Sequence, residues 1–130
     1  MKNREIYELS LSLLAQQIDS TENEDLEERA PFLLASFCSE ACELDRYLRQ
    51  RAGLGGACDF EKVRIDLDED FPLLERLAPL AGLYLAAMLI IDEDDTLSDT
   101  LYDRYCDGMT ALRCGIPCAV ETIANAYPSL

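Results

Sequence analysis

Residues 77–91 read LAPLAGLYLAAMLII, with Glu75 and Arg76 just before them and Asp92 just after. The run is too short to cross a bilayer as a helix, which takes about 20 apolar residues. A helix that is apolar on every side, apart from Tyr84, has no face to offer water and must be enclosed by partners. The stretch therefore predicts a third helix at the centre of a bundle. Phe71-Pro72 is expected to open it, because proline early in a helix removes a donor that has no partner there anyway. Pro79 leaves two arrangements: one element throughout, or a short turn followed by a helix from Leu80 to Ile91.

Upstream, Ile6, Leu9 and Leu13 share one face of a helix expected over Asn3 to Gln17, and Leu14 with Ile18 widen it. Asp19, Ser20 and Asn23 break that pattern. Thr21 followed three residues later by Glu24 has the form of a capping box, which starts a second helix just ahead of Leu26. Its buried stripe, Leu26, Ala30, Leu33, Phe37, Ala41, Leu44 and Leu48, steps by four, three and four, close to the helical period. Pro31 lies one position off the stripe. It would cost about 3 kcal/mol inside a helix, so the helix kinks there or a short turn precedes it. Gly53, Gly55 and Gly56 end the element and favour a left-handed cap. Arg46, Arg49 and Arg51 fall near that end, where they answer the helix dipole. Residues 57–70 alternate Val63, Ile65 and Leu67 with charged neighbours, but a lone strand cannot pair with itself, so a connecting loop is expected.

Downstream, Asp92-Glu93-Asp94-Asp95 makes an acidic turn. Thr96 with Asp99 is expected to cap a fourth helix reaching about Arg113, with Leu97, Leu101, Tyr105, Met109 and Leu112 on its buried face. Cys114-Gly115-Ile116-Pro117 stops it. The short tail beyond carries Val120, Ile123 and Tyr127 at spacings suited to docking. The fold class expected is all-α, a single helical domain over residues 1–130. Its helices would form a four-helix bundle-like arrangement, orthogonal or up-down, around the apolar third helix.

Composition bounds what such a bundle does. At 130 residues, with 49% hydrophobic residues and only 6 Gly and 5 Pro, the chain has enough apolar surface to fold without staples. Twenty-six acidic against eleven basic residues give a formal net charge of -15, which opposes approach to a phosphate backbone or an anionic membrane. Neither specific nucleic-acid binding nor membrane association is expected. The N-terminus, MKNREIYELSLSLLAQQ, is charged and amphipathic and lacks a secretory pattern. A cytoplasmic location is expected, and the six cysteines are then read as reduced thiols.

The chain contains no histidine, and with it go the usual general base, the commonest metal ligand and every Ser-His or Cys-His nucleophile. There is no GxxxxGK[ST] or GxGxxG pattern. An EF-hand loop needs Gly at position six and Glu at twelve. Counted from Asp66 those positions hold Phe71 and Leu77, and counted from Asp92 they hold Leu97 and Asp103. Cys38 and Cys42, and Cys114 and Cys118, lack the CxxC spacing of a zinc site and are read as small hydrophobes. Asp99, Asp103 and Asp107 recur every four residues, and like charges at that spacing cost a few tenths of a kcal/mol each. This stripe reads as an ordinary wet face ahead of a dedicated partner surface. No enzymatic activity, cofactor or metal is expected.

Three phrases carry a resemblance: REIYELSLSLL at 4–14, EERAPFLLASFCSEACELDRYLR at 27–49, and FPLLERLAPLAGLYLAAMLIIDEDDTLSDTLYDRYCDGM at 71–109. Together they resemble the head-tail connector, or adaptor, family of phage and prophage structural proteins. The shared order is an amphipathic first helix, an acidic-RAP-apolar second helix, and an apolar third helix ending in an acidic turn before a fourth. The resemblance implies a homo-oligomer assembled in a ring between portal and tail or stopper proteins, a virion component if the prophage is active, with DNA passing through a channel and no catalysis. A negatively charged lumen suits that role, because attraction would hold passing DNA back. The six cysteines and the apolar tail depart from ordinary members. The contact surface expected is Asp92, Glu93, Asp94 and Asp95 together with Ile116, Pro117, Val120, Ile123 and Tyr127. The alternative is an acidic module that mimics DNA or otherwise regulates a basic protein, using its charge and the stripe on the fourth helix.

Overall fold

The computed structural model describes residues 1–15, 23–55 and 60–114. Helix α1 spans Asn3–Leu13, α2 Asn23–Arg51, α3 Ala78–Ile90 and α4 Asp95–Cys114, with a 3-10 turn over Glu75–Leu77 ahead of α3. The protein is all-α and bundle-like. Helices α1, α2 and α4 each pack on α3, and ten of the thirteen residues of α3 are buried, Tyr84 among them. The enclosure demanded by the uncharged run is met on all sides.

The start of the third helix differs from the expectation placed on Phe71-Pro72. Residues 71–74 are irregular, and Pro79 sits in the first turn of α3, where no intrahelical donor is lost. The other proline is spanned without a break: Pro31 lies in the ninth position of a 29-residue α2, so no turn precedes it. Its carbonyl accepts the N–H of Ile65 at 3.1 Å, and the proline itself is buried. Packing and that added bond offset part of the cost of an interior proline. Helix α2 begins at Asn23, and Thr21 lies outside the described residues.

The far end of α2 closes as its glycines require. Gly53 has φ of 73°, Leu54 N–H donates to Arg49 at 2.9 Å and Gly53 N–H to Gln50 at 3.2 Å. These are the paired reverse bonds of a left-handed helix stop.

The segment expected as a plain loop finds a partner in the N-terminus. Asn3 N–H donates to Glu69 at 3.0 Å, Arg4 N–H to Leu67 at 2.9 Å and Phe71 N–H to Met1 at 2.9 Å. Lys2 and Asp70 form an antiparallel bridge. The first donors of α1, which Lys2 does not cap by its side chain, are thus satisfied by carbonyls 66 and 63 positions away. Asn3 is buried, and its amide donates to Asp66 at 2.9 Å. Arg4 bridges Glu27 at 2.8 Å and Asp68 at 3.1 Å, contacts that raise its pKa.

This pairing turns α1 away from the expected face. Asn3, Ile6, Tyr7 and Ser10 are buried, with Leu14 just beyond the helix end, whereas Leu9 is 39% exposed and Leu13 only partly covered. The helix stops at Leu13, short of Gln17, as Leu14 N–H bonds back to Leu11 at 3.0 Å. On α2, by contrast, six of the seven stripe residues are buried, and Leu33 is partly so.

The three long helices meet in an aromatic cluster. Phe37 of α2 lies 5.9 Å from Tyr84 of α3 and 6.0 Å from Tyr105 of α4, and the two tyrosines are 5.2 Å apart edge to face. The Tyr84 hydroxyl is 3.2 Å from Ser36 Oγ, so the one polar group of the apolar run is paired with its neighbour helix.

Candidate functional site

Helix α3 ends at Ile90, and the N–H groups of Glu93 and Asp94 both reach back to its carbonyl at 2.9 Å. That geometry lifts Asp92, Glu93 and Asp95 into solvent. Asp94 has a different task. Its Oδ1 accepts the N–H of Leu97 at 3.0 Å and its carbonyl the N–H of Ser98 at 3.0 Å, so it is the N-cap of α4. The cap expected at Thr96 with Asp99 therefore lies two residues earlier, and Asp94 is a half-buried structural acid rather than surface charge. Ser98, unremarked in the sequence, is buried and donates to the Ala87 carbonyl at 2.8 Å, tying α4 to α3.

From that cap α4 runs with Leu101, Tyr105 and Met109 buried and Leu97 and Leu112 partly so. Asp95, Asp99, Asp103 and Asp107 are exposed and follow one another at four-residue intervals, about 6 Å of helix axis each. Among the described residues none of them enters an ion pair, and neither do Asp92 and Glu93. Several cations are paired elsewhere among the described residues: the N-terminal ammonium with Glu75 at 3.6 Å, Lys2 with Asp70 at 2.9 Å, Arg4 with Glu27 and Asp68, Arg49 with Asp45 at 2.8 Å, Lys62 with Glu69 at 3.9 Å. The turn and α4 together present one unneutralised acidic face.

Of the surface expected from sequence, Asp92, Glu93 and Asp95 stand together on this face. Ile116, Pro117, Val120, Ile123 and Tyr127 lie outside the described residues, and Cys118 with them. Cys38 is buried in the core, Cys42 and Cys106 are partly buried, and Cys114 is exposed, so the reading as small hydrophobes fits Cys38 best. Among the described residues, no three His, Cys, Asp or Glu side chains are grouped to hold a metal ion. No helix among them is long and apolar enough to cross a membrane.

Sequence reasoning placed Tyr105 on the buried face of the fourth helix, as found, but missed Tyr102 and the Glu40 carboxylate of α2 that acts on both. Tyr105 is buried, and its hydroxyl has no hydrogen-bond partner of proper geometry. Burial pushes its pKa up, and the Glu40 carboxylate beside it pushes it further. Tyr102, half exposed, is shifted in the same direction, chiefly by burial, with Cys106 and Glu40 adding to it. A tyrosine on an apolar face reads simply as core, which Tyr105 is; that Glu40 of a neighbouring helix acts on its hydroxyl emerges only from the packing. Compared with known proteins, the chain matches no family model, no curated protein and no solved structure.

Proposed function

We propose that this chain is a non-catalytic assembly protein of the head-tail connector kind, one subunit of a homo-oligomeric ring seated between portal and tail or stopper proteins. The observation that carries the reading is the face made by Asp92, Glu93, Asp95, Asp99, Asp103 and Asp107, exposed and without ion pairs among the described residues. Like charges at four-residue spacing oppose helix formation by a few tenths of a kcal/mol each. Placed toward a channel, they would repel passing DNA and keep it from sticking to the wall. The turn from α3 into α4 is stiffened by the Asp94 cap and the Ser98 bond, so the charge is presented at a defined place. The buried helix α3 leaves the outer surfaces of α1, α2 and α4 for neighbours.

The same face supports a second reading, an acidic module that occupies the basic surface of a regulatory partner in place of DNA. Native mass spectrometry and light scattering of the purified full chain, alone and with portal and tail proteins, separate the two. A ring-sized oligomer, or a stable complex with portal or tail components, is the expected result. A chain that stays monomeric in every mixture overturns the connector reading, and recovery of a basic DNA-binding protein in its place supports the second.

A further inference from the structure

We draw no further inference here: the strongest candidate, the exposed apolar patch early in α2 where Arg64 lies 6.0 Å over the ring of Phe32 with Val63 next to it, carries nothing because nothing in the structure shows what covers it.

Discussion

The carboxylate of Asp45 accepts the backbone N–H of Leu74 at 2.8 Å, although 29 positions separate the two residues. Its other oxygen takes Arg49 Nε at 2.8 Å, and that guanidinium also donates to the Pro72 carbonyl at 3.3 Å. Asp45 is fully buried. It thereby fastens the irregular lead-in to α3 onto α2, at the point where no regular element does so.

Asp45→Ala is expected to destabilise the fold by about 3 kcal/mol, because it strands Leu74 N–H and leaves Arg49 without its partner in a partly buried place. Asp45→Asn keeps an acceptor for Leu74 and should cost less. Urea unfolding of the three proteins checks both, and an alanine variant within 0.5 kcal/mol of the parent would show that the clamp contributes little.

The two helical glycines should respond differently to alanine. A Cβ at Gly82 would stand 2.7 Å from Leu9 Cδ2, but Leu9 is a half-exposed side chain at the rim and can swing away. The gain of up to about 1 kcal/mol in helix propensity then roughly cancels the cost. A Cβ at Gly108 would run into Leu80, which is buried between α3 and α4, so Gly108→Ala should lose about 1–2 kcal/mol. Thermal melts that rank them the other way would contradict this packing.

Stability should fall in alkali through Tyr105. Its folded pKa is raised, while the unfolded tyrosine ionises near pH 10. The contribution is therefore complete below about pH 10 and shrinks above it, as the unfolded chain ionises and the folded one does not. Tyr7 and Tyr102 shift the same way. Tyr105→Phe should be neutral or mildly stabilising at pH 7, since it removes an unsatisfied buried hydroxyl, and should flatten the decline. Urea midpoints at pH 8 and pH 11 for parent and variant measure the difference.

The acids of the turn should divide by role. Asp94→Ala removes the N-cap of α4 and should cost about 1 kcal/mol. Asp92→Asn and Glu93→Gln should leave the melting temperature nearly unchanged, and Asp103→Asn should raise it slightly by relieving repulsion. If neutralising Asp92 and Glu93 cost as much as losing Asp94, the turn would be held together by contacts other than the cap.

The core of this protein was legible wherever periodicity ran undisturbed. The α2 stripe from Leu26 to Leu48, the glycine stop at Gly53 and the apolar α3 all sit where helical spacing placed them, because each depends on neighbours within a few turns. The face of α1 was not legible, since its rotation follows from pairing with residues 67–71, and no local pattern reports a partner that far away. The acidic turn was visible as charge. That Asp94 is a cap while its neighbours are surface became clear only from which carboxylate reaches Leu97.

An uncharged run bounded by charged residues determined that this chain folds as helices wrapped about a buried one, because burial of apolar surface needs no particular partner. Asp45 and Tyr105 have side chains whose place among charges depends on helices far off in the chain, so only the packed molecule decided that one ties a loop and the other lies buried under the influence of Glu40. Hydrophobic patterning is local and non-directional, whereas hydrogen bonds and charge pairs take their meaning from angstrom-scale geometry that arises when the helices meet.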